Sequence, residues 1–143
     1  MALAAAQVVD AIAARLVPLA ATAGRVYTSR AWPLDEASLP AWRVTAEAES
    51  VMVDAIGEPL NRHDLSVAAT AVTRAVSDLD NALHSLAAGG LALLFAPTVP
   101  YGLRLSAIER RMASEGEAAV GHVTLRLETT YWVNPATPET IYA

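Results

Sequence analysis

The sequence predicts an α+β domain: a mainly antiparallel sheet of about four to five strands with two helices packed on one face, in the order α-β-β-β-α-β-β. Three observations lead there. Apolar and polar residues alternate from Trp42 to Glu49 and again from Val120 to Val133, the period of half-buried strands. Apolar residues recur three and four apart near the N-terminus and around Leu79 to Leu86, the period of one helix face. Glycine and proline clusters separate these runs.

The first helix is expected over roughly Ala2 to Ala20, where Val9, Ile12, Leu16 and Leu19 form a stripe in an alanine-rich stretch. Pro18 and Gly24 bracket its end. A short strand around Val26 and Tyr27 follows, then an irregular loop from Arg30 to Pro40 that holds Trp32 and Leu34. In the next strand Trp42, Val44, Ala46 and Ala48 face one way and Arg43, Thr45, Glu47 and Glu49 the other. Gly57 and Pro59 suggest that Val51 to Asn61 is a turn. A third strand runs from about Arg62 to Thr73, with Leu65, Val67, Ala69 and Ala71 on one face.

Ser77 and Asp78 are plausible caps for the second helix, whose stripe is Val76, Leu79, Leu83 and Leu86. Gly89-Gly90 is expected to end or bend it, leaving the state of Leu91 to Ala96 open. Two strands close the domain, about Leu103 to Ala113 and Val120 to Val133, joined by a turn at Ser114-Glu115-Gly116-Glu117. The domain is thus 1–133, with 134–143 as an extended C-terminal arm marked by Pro135 and Pro138.

Composition excludes several chemistries. A chain of 143 residues fits one domain. It has no cysteine, hence no disulfide, thiolate nucleophile or thiolate metal site. All ten basic residues are arginine, so there is no P-loop lysine, Schiff base or lysine nucleophile. A net charge of −5 argues against sequence-specific nucleic-acid binding. The apolar N-terminus, interrupted by Asp10 and Arg15, resembles neither a secretory signal nor a membrane span, so a cytoplasmic site of assembly is expected. The hydrophobic share of 54% suggests that some surface is hidden in a partner.

Candidate catalytic groups do not converge. His63, His84 and His122 lack the spacing of a zinc helix, and His63 and Asp64, adjacent in a strand, point to opposite faces. Glu47 and Glu49 share a strand face, where an acid/base pair is conceivable and a solvated face is the ordinary reading. No catalytic residue, metal or cofactor is expected, and the chain is not read as an enzyme. Arg104 and Arg110 are placed on one face of their strand, with Arg126 on the neighbouring strand; ordinary pairing with Glu128 or Glu109 competes with a partner-facing arginine cluster. Trp132, on the polar side of the last strand, and Trp32, in a loop, are interface candidates, with coverage by the C-terminal arm or a helix as the alternative.

The helix, the short strand Arg25-Val26-Tyr27, the proline-bearing loop, the stretch from Leu39 to Ser50 ("LPAWRVTAEAES") and the strand from Arg62 to Val72 ("RHDLSVAATAV") form a recognisable series. With "DLDNALHSL" and the final "HVTLRLETTYWV" (His122 to Val133), this series resembles the tail terminator family of long, flexible-tailed phages, typified by the minor tail protein U of phage lambda. The resemblance spans most of the chain and includes no catalytic motif. It implies a homo-oligomeric ring, a hexamer in that family, that caps the tail tube, stops its polymerisation and offers its other face to the head-completion (stopper) protein. The implied location is the tail–neck region of the virion, assembled in the bacterial host cytoplasm. Another neck component, a head–tail stopper or adaptor, is the alternative, and a small ligand-binding α+β domain is the reading from another class.

Overall fold

A computed structural model describes residues 3–28, 39–53, 60–75, 78–96, 98–115 and 118–142. Among them the chain forms α1 (Ala4–Leu16), β1 (Val26–Tyr27), β2 (Ala41–Val53), β3 (Asn61–Ala75), α2 (Leu79–Phe95), β4 (Arg104–Glu115) and β5 (Ala118–Val133). The five strands make one sheet in the order β1-β2-β3-β5-β4. The sheet is mixed: β1 runs parallel to β2, and every other pair is antiparallel. The α+β class and element order are those expected from the sequence.

Both helices pack on one face of the sheet. Val8, Val9, Ile12 and Leu16 of α1 and Leu79, Leu83, Leu86 and Leu94 of α2 are buried there. They meet Val67, Ala69 and Ala71 of β3 and Val123, Leu125, Leu127 and Tyr131 of β5. Each of these strand residues is one position in two, so a single face of the pleat supplies the core.

Several boundaries differ from expectation, each for a local reason. The first helix stops at Leu16, before Pro18, which has no N–H to continue the ladder. Strand β2 continues through Val51, Met52 and Val53, and β3 resumes at Asn61, so strand occupies both ends of the expected turn. Asp78 stands at the N-cap of α2, but its side chain makes no capping bond. Val76 and Ser77 of the expected stripe and cap, and most of the Arg30 to Pro40 loop, lie outside the described residues.

Gly89 and Gly90 neither end nor bend α2, which continues to Phe95. Their role is close approach. A Cβ on Gly90 would sit 2.8 Å from the Trp42 ring, and one on Gly89 would sit 2.7 Å from Leu19 Cδ1. Trp42 is fully buried, and the missing side chain lets the helix backbone rest on its indole.

Residues 134–142 do not extend as an arm. They turn back through the bonds Thr137 N–H to Asn134 O and Thr140 N–H to Thr137 O. Tyr142 then bridges Trp132 on β5. The same segment ties down α1, because Ala4 N–H donates to Pro138 O at 3.1 Å and Gln7 Nε2 donates to Glu139 O.

Candidate functional site

The sheet face opposite the helices is open, and it collects most of the arginines. By register it carries Arg43 and Glu47 of β2, Arg62, Asp64 and Arg74 of β3, His122, Arg126 and Glu128 of β5, and Arg104, Glu109 and Arg111 of β4. Six of the ten arginines therefore stand on a face with four carboxylates, in a chain whose net charge is −5. Alternation explains the collection, since the residues between the core positions of the long strands are the polar ones.

Arg126 is the centre of this face. Its Nε donates to Glu109 Oε1 at 2.8 Å on β4, and a second guanidinium nitrogen donates to Glu47 on β2. The reach to β2 crosses β3 at Ala68, whose register partner is Arg126 and whose small side chain leaves the path clear. Glu109 holds the Arg126 guanidinium even more firmly protonated than usual, and Arg126 in turn holds the Glu109 carboxyl below its ordinary range. Asp64 is likewise held low, first by the Thr130 hydroxyl that donates to it at 2.7 Å and then by the Arg62 charge. A shallow concavity of about 500 Å³ lies beside Arg126, bordered by Thr70, Glu109, Arg110, Arg111, His122 and Thr124.

Single-residue bulges rearrange the expected faces. In β2 the register shifts between Ala46 and Ala48, so Glu47 turns to the open face while Glu49, opposite Leu65, turns to the helix side. The two carboxylates expected side by side are separated by the sheet. In β4 the register shifts between Leu105 and Ala107. Arg104 falls opposite Glu128 on the open face, and Arg110 falls opposite the helix-side Val123, so these arginines do not share a face. Arg111, opposite His122, takes the place expected of Arg110. For Arg126 the ordinary cross-strand pairing with Glu109 is the one observed.

Trp132 is half-buried on the open face, and its backbone exchanges two 2.8 Å hydrogen bonds with Tyr142. The C-terminal segment thus occupies the edge of β5 beyond the start of β4. Trp32 lies outside the described residues.

One polar cluster on the helix side was not expected. Glu49 Oε1 accepts from the Tyr131 hydroxyl at 2.7 Å and lies 2.8 Å from His63 Nδ1, while the His63 and Tyr131 rings stack with centroids 5.3 Å apart. Burial, with the Glu49 charge behind it, pushes the Tyr131 phenol well above the usual tyrosine range. This cluster joins β2, β3 and β5 and fixes the far end of the sheet. Shared strand parity of His63 and Tyr131 was readable in the sequence, but the bulge that brings Glu49 to them was not. Among the described residues no group of three or more His, Asp or Glu side chains converges as a metal site, and no helix is long and apolar enough to cross a membrane.

The margins of the sheet differ from its centre. Pairing of β1 with β2 ends at Arg43, so among the described residues nothing pairs with the outer edge of β2 beyond that point. Among the described residues nothing pairs with the outer edge of β4 either. Val51, Met52 and Val53 on β2 and Leu105, Ile108 and Met112 on β4 are 36–78% exposed. No protein-family model matches this chain, and no curated protein is similar enough to count as a relative.

Proposed function

We propose that this chain is a structural assembly subunit that closes with copies of itself into a ring, and that the ring is a phage tail terminator capping the tail tube and meeting the head-completion protein. The observation that carries the assembly reading is the exposure of apolar side chains at both margins of one sheet, Val51, Met52 and Val53 at one and Leu105, Ile108 and Met112 at the other. Unpaired strand edges are normally blunted by charge, proline or cover. Here they carry apolar residues on opposite sides of the molecule. Two different surfaces that complement each other make a heterologous contact, which generates a ring when its rotation closes. The terminator role itself rests on the resemblance of the chain to that family, and its partners are the tube subunit and the stopper.

Light scattering on the purified protein tests assembly: a discrete oligomer of several 15.0 kDa subunits supports the ring, and a monomer at every concentration removes it. Electron microscopy of phage tails assembled with and without the protein tests the role. Tails of unregulated length only in its absence support termination, whereas normal tails that fail to join heads assign it to the stopper position.

A further inference from the structure

We propose that β4 of one copy adds antiparallel to the outer edge of β2 of the next copy, beyond Arg43 where no described residue pairs with it, in a single register that pairs Ile108 with Val51 and Arg110 with Glu49. This deepens the self-assembly reading above and rests on it.

Strand direction comes first. β2 is antiparallel to β3 and β3 to β5, so β2 and β5 run the same way, and β4 runs against both. When the sheet of one copy continues into the next with both helix layers on the same side, β4 therefore meets β2 antiparallel, the more stable arrangement of the two.

Side-chain parity then selects the register. On the helix side the free part of β2 presents Ala46, Glu49, Val51 and Val53, and β4 presents Leu105, Ile108, Arg110 and Met112. Each strand has one bulge residue, Glu47 and Ser106, at opposite ends of the stretch. Antiparallel alignment with those two residues looped out matches Leu105 with Val53, Ile108 with Val51, Arg110 with Glu49 and Met112 with Ala46. Sliding by one repeat in either direction sets Glu49 against Met112 or Ile108, and a carboxylate against an apolar side chain is unfavourable.

Both members of the single charged pair have unused hydrogen-bonding capacity. Arg110 is exposed and has no partner among the described residues. Both hydrogen bonds to Glu49 reach Oε1, so Oε2 has no partner among the described residues. Met112, 56% exposed, would enter the groove between α1 and β2, whose lining is mainly apolar (Leu3, Ala6, Val9 and Ala46) with Asp10 and Thr28 at its border. The exposed apolar side chains on the helix side of both margins are covered by one contact.

The absence of native cysteine makes the register directly testable. A chain carrying Val51→Cys and Ile108→Cys, oxidised at the oligomer's concentration, is expected to give a ladder of covalent multimers on a non-reducing gel. An equimolar mixture of the two single variants is expected to give covalent dimers only. The pair Val51→Cys with Met112→Cys, displaced by four residues or about 13 Å along the strand, is expected not to cross-link. Arg110→Glu is expected to lose oligomer mass in light scattering with an unchanged circular dichroism spectrum, and Arg110→Lys to retain it. An oligomer of ring mass with no ladder overturns this pairing and leaves the ring reading standing. A covalent dimer from Ile108→Cys alone signals a symmetric β4–β4 contact and also overturns it. A persistent monomer overturns both.

Discussion

Alanine at Gly90 and alanine at Gly89 are one residue apart in the same helix and have opposite expected effects. Each substitution gains helix propensity, about 0.8–1.0 kcal/mol for glycine to alanine in a helix interior. The difference lies in what the new methyl meets. At Gly90 it arrives 2.8 Å from Cη2 and Cζ2 of Trp42, a ring with no exposed surface and no room to retreat. Overpacking of this kind costs about 1–3 kcal/mol, enough to cancel or exceed the propensity gain. At Gly89 the methyl meets the end of the half-buried Leu19 side chain, which can change rotamer at little cost. Gly89→Ala is therefore expected to be neutral to stabilising, with Gly90→Ala about 1–3 kcal/mol below it. For a chain of this size that separation is roughly 3–10 °C in Tm. Thermal unfolding of both variants at one fixed protein concentration measures it, because assembly makes Tm concentration-dependent. Equal Tm values, or a Gly90→Ala variant above Gly89→Ala, would refute the claim that helix α2 is seated on the Trp42 ring.

Further predictions follow from the polar clusters and the C-terminal segment. The Asp64 carboxyl is held below its ordinary value in the folded state, so its stabilisation is present above that value and is lost as pH falls through the lowered one; Asp64→Asn should flatten the acid limb of the urea midpoint. Because the Thr130 hydroxyl is the leading cause, Thr130→Val should move the Asp64 carboxyl back up in an NMR titration, and an unmoved value would assign the effect to Arg62. Tyr131 has a raised phenol, so its contribution is complete below its ordinary value of 10.0 and is lost as pH rises above it; Tyr131→Phe should flatten the alkaline limb. Ending the chain at Val133 removes the Tyr142 bridge and the Pro138 bond to α1, three backbone hydrogen bonds worth together about 1–4 kcal/mol. The truncated protein should melt lower and show a red-shifted Trp132 emission, and no change in either would mean that the segment is not docked in solution.

The core and the element order were legible because burial follows simple periods. Val123, Leu125, Leu127, Thr129, Tyr131 and Val133 alternate without interruption along β5, and all are buried. Legibility ended where backbone geometry, rather than residue type, decides. The adjacent pair Gly89-Gly90 reads as a breaker until the Trp42 ring beneath Gly90 is known. The C-terminal prolines read as an extended arm, whereas the turns closed by Asn134, Thr137 and Thr140 around them fold it back. Long-range contacts such as Arg126 to Glu47 depend on which strands are neighbours, and the place of β5 between β3 and β4 is a fact of topology with no local signal.

The two bulges are where this limit bears on function. With unbroken alternation Glu49 would stay with Glu47 on the open face, Val51 and Val53 would join them, and Leu105 and Ile108 would stand on opposite faces of β4. One extra residue in each marginal strand inverts the parity beyond it. The result places Val51, Val53, Leu105, Ile108 and Met112 on the helix side, together with Arg110 and Glu49, while Met52 alone of the exposed apolar margin residues named above falls on the open face. The bulges also stand at opposite ends of the two free edges, so an antiparallel neighbour meets each with a matching stretch of regular strand. A bulge that served only to twist a monomer's edge away from strangers would have no reason to sort apolar residues on both margins to the same side. Sorting of that kind is what an edge needs when its intended neighbour is another copy.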